Sequence, residues 1–123
     1  MSILKISIPN LEVDMKIAII GSRGIKNVDI SPYVSEGDEI VSGGAAGVDR
    51  CAADFAVKHR LKLTEFLPEY KIYGRGAPIL RNKRIVDYAD RVVAFWDGGS
   101  KGTLSVIRYA EKTGKECEIV LFK

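Results

Sequence analysis

Residues 91–106, with the sequence RVVAFWDGGSKGTLSV, combine three local patterns in one short stretch. The first six residues form a nearly continuous apolar run, which is typical of a strand buried on both faces of a sheet. An acidic, glycine-rich turn at residues 97–102 ends that run, and a helical pattern of apolar residues follows it. A buried strand that leads through a turn into a helix is the repeating unit of a parallel α/β sheet.

The same unit recurs along the chain. Further strands are predicted at KIAII (16–20), EIVS (39–42), KLTEFL (62–67) and CEIVLF (117–122), and helices near 31–35, 47–60, 78–89 and 103–113. Strands that alternate with helices pair in parallel through right-handed crossovers. We therefore predict the α/β class, as a Rossmann-like three-layer sandwich with a mainly parallel sheet of about five strands.

The chain of 123 residues is long enough for one domain with its own core. We assign residues 16–123 to that domain. Residues 1–15 are an N-terminal extension or an additional edge strand, because LKISI alternates in polarity before Pro9 and Asn10 turn the chain. No apolar run approaches the roughly 20 residues of a membrane span, and the N-terminus lacks the pattern of a signal peptide. We expect a cytoplasmic protein without a membrane partner.

Composition argues against a metal site, a bound cofactor and a disulfide framework. Cys51 and Cys117 stand far apart and lack CxxC spacing, and no cluster of His, Cys or carboxylates has the spacing of metal ligands. The net charge of +3 is too small to indicate binding to duplex nucleic acid. Residues 71–91 nevertheless hold six basic residues against two acidic ones, a local excess of +4.

Glycine is concentrated in three of the predicted strand-to-helix turns: GSRG (21–24), SGGAAGVD (42–49) and DGGSKGT (97–103). In a parallel α/β sheet these turns lie at the carboxyl edge, where such sheets bind their ligands. Glycine lets main-chain N–H groups approach an anion closely, and each following helix adds its positive end. The pattern favours a phosphate-bearing ligand. The alternative, that the glycines only shape and pack the turns, stays open.

The helix that begins APILRN extends this predicted site. Its apolar stripe at residues 85–89 continues backward by three and four positions onto Arg81 and Asn82. Two polar side chains are thereby directed toward the carboxyl edge. Arg81 either contacts the ligand or pairs with a carboxylate such as Asp97.

The predicted ligand-binding residues come from the three turns and from this helix. They are Gly21, Ser22, Arg23, Gly43, Gly44, Gly47, Asp49, Arg81, Asn82, Asp97, Gly98, Gly99, Ser100, Lys101, Gly102 and Thr103. Arg23, Arg81 and Lys101 would supply positive charge to the ligand. Asp49 and Asp97 would bind ribose hydroxyls, act as bases or cap the turns that they occupy. Arg81 and Asp97 are the candidates for catalysis if the site is an enzyme's.

A serine-containing glycine motif and a tyrosine-rich stretch also bear on function. GGSKG (98–102) matches the nucleophile-elbow pattern G-x-S-x-G, but the only histidine, His59, precedes Ser100 and is predicted on the core-facing side of a helix, so we do not assign that chemistry. PEYKIYGRGA (68–77) is predicted to be the longest stretch without secondary structure. Its tyrosines would either form a mobile lid or cover a hydrophobic edge.

Four stretches resemble the SLOG superfamily of Rossmann-like proteins, in particular its small YspA-related branch. They are KIAIIGSRG, VSGGAAGVDRCAADFA, GRGAPILRNKRIVDYADRVVAFWDGGSKGT and AEKTGKECEIV, so the resemblance runs from about residue 15 to residue 120. The superfamily includes the LOG phosphoribohydrolases, the DNA-processing protein A family, which binds single-stranded DNA, and sensor domains for nucleotide-derived signals. The resemblance implies a nucleotide or nucleotide-like ligand.

The LOG signature PGGxGTxxE ends in a catalytic glutamate. Aligned on Gly102 and Thr103, that position is Val106 here, and Arg81 corresponds loosely to the arginine that accompanies the glutamate. Our leading interpretation is a small domain that binds a nucleotide or nucleotide-derived molecule, for sensing or sequestration. N-glycosidase activity on nucleoside 5′-monophosphates and binding of single-stranded nucleic acid through residues 71–91 are the alternatives. Pairing into a homodimer is expected from relatives that pair.

Overall fold

A computed structural model of the chain describes residues 14–122 and contains one five-stranded sheet. The strands are β1 (Lys16–Gly21), β2 (Glu39–Ser42), β3 (Lys62–Glu65), β4 (Arg91–Trp96) and β5 (Glu116–Leu121). The helices are α1 (Val48–Lys58), α2 (Tyr70–Tyr73), α3 (Ala77–Tyr88) and α4 (Lys101–Thr113), with 3-10 turns at Ser31–Tyr33 and Gly74–Gly76. The predicted Rossmann-like α/β sandwich is confirmed. The predicted N-terminal strand falls on residues 4–8, outside the described residues.

All strand pairs are parallel, and the order across the sheet is β3-β2-β1-β4-β5. The chain moves outward from β1 to β3 and then returns to the other side of β1 to form β4. Loops leave the sheet in opposite directions where the strand order reverses in this way, and a crevice is left at the carboxyl ends of the strands. The fold therefore places such a crevice beside β1 and β4.

Helices cover both faces of the sheet. The side chains of β1 point alternately to the two faces of the sheet. Ala18 and Ile20 pack with the apolar residues of α3 and α4. Ile17 and Ile19 pack on the opposite face with those of α1. All four side chains are buried, and burial of each isoleucine contributes about 1.5–3 kcal/mol relative to an exposed one. The apolar runs in the sequence thus correspond to strands buried from both sides.

α4 begins two residues earlier than predicted because Ser100 caps it. The Ser100 hydroxyl accepts a hydrogen bond from the Thr103 main-chain N–H at 3.4 Å, and its backbone is extended, as at other N-caps. The helix ends at Gly114, which adopts the left-handed conformation with φ 75°. Lys101 is consequently the first residue of α4 and not part of the preceding turn.

Residues 68–77 contain secondary structure, so their prediction as an irregular stretch was wrong. The N–H groups of Ile72 and Tyr73 both donate to the Glu69 carbonyl oxygen, which closes the short helix α2. The Glu69 carboxylate also accepts a hydrogen bond from Arg84 Nη1 at 2.7 Å. The segment is thereby bonded to α3, while Tyr70 and Tyr73 stay 56% and 42% exposed.

The prediction that His59 lies within a helix, on its core-facing side, was also wrong. α1 ends at Lys58, and His59 lies just after it as an exposed residue, with its ring 4.1 Å from that of Phe55. Arg60 takes a positive φ of 55°, and the chain leaves the helix there. Among the described residues, no helix has both the length and the apolarity needed to cross a membrane.

Candidate functional site

A cleft of about 470 Å³ opens at the carboxyl edge of the sheet. Its walls come from the first turn (residues 21–24), the second turn (43–49), the third turn (97–103) and the start of α3. Three turns that follow three different strands therefore meet at one place. The crevice expected where the strand order reverses is present.

Most of the predicted ligand-binding residues line the cleft, and five do not. Lining it are Gly21, Ser22, Arg23, Gly43, Asp49, Arg81, Asn82, Asp97, Ser100, Gly102 and Thr103. Those outside its lining are Gly44, Gly47, Gly98, Gly99 and Lys101. Lys101 instead faces a separate groove between α3 and α4, because it belongs to the first turn of that helix.

Several lining residues were missed by the sequence reasoning. Gly24 and Ala45 stand within the predicted turns, so their place in the chain could have identified them. Pro78 and Ile85 line the cleft from α3, as Ile20 does from β1. Apolar residues of this kind give no signal in the sequence that separates a cleft wall from the core.

Two glycines hold the turns close together. Gly47 has φ 78°, and a Cβ at this position would lie 2.6 Å from the Arg23 carbonyl oxygen. A Cβ at Gly21 would lie 2.5 Å from Val48 Cγ2 and 2.6 Å from the Phe95 carbonyl oxygen. Only glycine permits such contacts. At these two positions the packing role of glycine is therefore evident.

Asp97 organises the third turn. Its Oδ1 atom accepts hydrogen bonds from the N–H groups of Gly99 and Ser100 at 2.8 and 2.7 Å, and these bonds hold the pKa of the carboxyl below its ordinary value. Its own N–H donates to Ser22 Oγ at 3.3 Å, which joins the third turn to the first. Asp97 thus caps the turn that it begins.

Arg81 reaches from α3 to the second turn. Its Nη1 donates to the Gly43 carbonyl oxygen at 2.7 Å, and its Nε donates to Asn82 Oδ1 at 2.8 Å. Burial lowers the pKa of Arg81, and the nearby Asp49 carboxylate opposes that shift. Among the described residues Arg81 forms no ion pair with Asp97, so the carboxylate suggested by the sequence is not its partner.

Asp49 is a buried carboxylate in the wall of the cleft and is only 6% exposed. Its Oδ2 accepts a hydrogen bond from the Ala45 N–H at 3.0 Å. Burial raises its pKa, while that hydrogen bond and the charge of Arg81 act in the opposite direction. The side chain therefore folds back over the turn that it caps.

The cleft combines donors for an anion with an apolar wall. Gly24 and Gly102 line it, and their main-chain N–H groups donate to no acceptor within residues 14–122. Gly102 also lies in the first turn of α4, where the helix dipole is positive. Val106, only 2% exposed, belongs to the apolar part of the wall. The arrangement suits a ligand with an anionic group and a flat or apolar group.

No protein-family model matches the chain, and no curated protein or solved structure matches it significantly. Within residues 14–122, no three side chains of His, Cys, Asp or Glu are grouped as metal ligands would be. A functional interpretation therefore depends on the geometry of the cleft and on the residues that form it.

Proposed function

We propose that this chain binds a nucleotide or a nucleotide-derived small molecule in the cleft between the three turns. The observation that carries the proposal is the convergence of unpaired main-chain N–H groups, the start of α4 and the Arg81 guanidinium on one cavity. Oxyanions are the ligands that helix N-termini and clustered N–H groups bind most readily. The phosphate would lie against Gly102 and Gly24.

The dimensions and chemistry of the rest of the cleft favour a mononucleotide. Its volume of about 470 Å³ lies toward the lower end of the range for small-molecule sites, about 300–1,000 Å³. The apolar wall that includes Ile85 and Val106 could contact a base, and Asp49 could accept hydrogen bonds from ribose hydroxyls. The resemblance of the sequence to the SLOG superfamily supports the same class of ligand.

Binding without turnover is favoured over phosphoribohydrolase-like activity. Val106 stands in the cleft where the resemblance would require a glutamate, and an apolar side chain cannot stabilise an oxocarbenium ion. Asp97 is bonded to its own turn, which leaves Asp49 as the other carboxylate of the wall. A single carboxylate does not supply the pair of acids on which most glycosidases depend.

The alternative of nucleic-acid binding through residues 71–91 gains no specific support. The basic residues of this segment are dispersed, since Arg81 points into the cleft and Arg84 pairs with Glu69. A continuous cationic strip would be needed to follow a phosphate backbone.

A thermal-shift panel of nucleoside mono- and diphosphates, ADP-ribose and cyclic nucleotides tests the proposal. A ligand at 100 times its Kd stabilises a folded protein by about 2.7 kcal/mol, which raises the Tm measurably. We expect at least one compound to do so at millimolar concentration. The effect should be lost in Arg81→Met and retained in Arg108→Met, which removes an exposed arginine outside the cleft. Absence of any shift across the panel would contradict the proposal.

Chromatography of the same compounds after incubation with the protein separates binding from hydrolysis. We expect the nucleotides to be recovered intact. Release of free base that is abolished by Asp49→Asn or Asp97→Asn would establish an enzyme instead.

A further inference from the structure

A groove of about 560 Å³ lies between α3 and α4, on the face of the sheet opposite α1. Four cationic side chains line it, one from α3 and three from α4: Lys83, Lys101, Arg108 and Lys112. The three on α4 are spaced by seven and four residues, which places them on one side of the helix. No carboxylate lines the groove.

These four cations are exposed and unpaired. None of them forms an ion pair within residues 14–122, and Asp87, the carboxylate that bonds to Tyr109 of the groove, pairs with none of them. Some cations outside the groove are paired, such as Arg84 with Glu69 and Arg91 with Glu116. A group of unpaired like charges creates a positive potential that attracts an anionic partner and favours its approach.

The floor of the groove is apolar. Ile79 is 54% exposed there, and Leu104 lies partly buried beside it. The ring of Tyr109 is approached by Lys83, whose Nζ lies 5.7 Å from the ring centroid, and its hydroxyl donates to Asp87 at 2.9 Å. Because this ring already has a cation against it and a bonded hydroxyl, it is poorly placed to stack on a nucleobase.

We propose that this groove is a docking site for an acidic amphipathic helix of a partner protein. Aliphatic side chains of the partner would cover Ile79 and Leu104, and its carboxylates would face the four cations. A cationic rim around an aliphatic floor matches a helix with leucines on one side and glutamates on the other. A nucleic-acid strand would leave the aliphatic floor uncovered. The inference does not depend on the nucleotide cleft, although Asn82 borders both cavities.

Fluorescence anisotropy with a labelled helical peptide of about 16 residues, or four to five turns, tests this proposal. The peptide carries leucines on one face and glutamates on the other. Two control peptides replace the glutamates with lysines or the leucines with serines, and labelled single-stranded oligothymidine is the fourth probe. We expect saturable binding of the acidic leucine peptide, and binding at least about tenfold weaker for both control peptides and the oligothymidine.

Three variants of the full chain complete the design. Arg108→Glu/Lys112→Glu reverses two charges of the rim and should weaken binding of the acidic peptide roughly tenfold or more. Ile79→Ser should also weaken it, because the exposed apolar floor is lost. Lys26→Glu/Lys58→Glu reverses two exposed charges outside the groove and should leave the affinity within about twofold. All these positions are exposed, and thermal unfolding checks that each variant folds.

The proposal is overturned if the acidic leucine peptide shows no saturable binding, or if the rim reversal and its matched control bind it equally. It is also overturned if the peptide with serines in place of leucines binds as tightly as the acidic leucine peptide, since the apolar floor would then contribute nothing to binding. Tighter binding of oligothymidine that is lost in Arg108→Glu/Lys112→Glu would assign the groove to nucleic acid instead.

Discussion

The contact between Gly47 and the first turn allows a quantitative test of how the walls of the cleft are held together. Alanine at this position would keep a backbone with φ 78° and would place Cβ 2.6 Å from the Arg23 carbonyl oxygen and 2.9 Å from that of Ile25. The strained backbone costs about 1–3 kcal/mol, and overpacking costs about 1–3 kcal/mol more. We therefore expect Gly47→Ala to lower the free energy of unfolding by about 2–6 kcal/mol, a large part of the total for a small domain.

Urea unfolding monitored by tryptophan fluorescence measures this change. Trp96 is the only tryptophan, and its indole N–H donates to the Ser100 carbonyl oxygen at 3.0 Å, so its emission reports on the third turn. Gly76→Ala is the matched control, because φ there is −79° and a Cβ would meet no atom within 4 Å. We expect that control to stabilise the protein by about 0.4–1 kcal/mol. If Gly47→Ala unfolds at the same urea concentration as Gly76→Ala, the close approach of the first two turns is refuted.

Three further substitutions probe the site itself. In Gly43→Ala a Cβ would lie 2.7 Å from Arg81 Nη1 and would displace the guanidinium. We expect this change to weaken the proposed binding of a nucleotide by roughly tenfold or more in calorimetric titrations, with little loss of stability. Burial raises the pKa of Asp49, so the folded state binds this proton more tightly than the unfolded state does. The free energy of unfolding of the wild type therefore falls as the pH rises above 3.8, the ordinary pKa of the group. The Tm of Asp49→Asn should therefore rise relative to the Tm of the wild type as the pH increases from about 4 to 7. A Tm difference that stays constant or falls over this range would contradict this reasoning. The Asp97 pKa is held below 3.8 by the turn, so the stability lost in Asp97→Ala should be greatest at neutral pH and should shrink below about pH 4. If the loss of stability in Asp97→Ala were the same at all these pH values, the charge of Asp97 would contribute nothing to the stability of the fold.

The sheet was predictable because each strand is marked by its own side chains. Residues 39–42 and 91–96 match the observed strands, since a strand covered on both faces must be apolar throughout. The meeting of three glycine turns followed from topology, because every strand-to-helix turn of a parallel sheet lies at one edge. Arg81 was directed into the cleft by the phase of its helix alone.

Other features depend on contacts that periodicity does not contain. Asp49 lies over its own turn because its carboxylate accepts a hydrogen bond from the Ala45 N–H, a contact that helical phase does not predict. Lys101 was predicted in the cleft but lines the α3–α4 groove, because Ser100 caps the helix earlier than the apolar pattern indicated. Residues 70–73 form a helix through bonds to Glu69, a residue that also pairs with Arg84. Each of these features depends on local hydrogen bonds that the apolar pattern of the sequence does not contain.

Titration of the isotopically labelled protein with adenosine 5′-monophosphate, followed by amide NMR, tests the central claim most directly. We predict saturable shifts that are largest at the N–H groups of Gly24 and Gly102, with smaller shifts at Ala45 and none along the exposed side of α1. Unchanged amide positions at millimolar nucleotide, or shifts confined to residues outside the three turns, would contradict it.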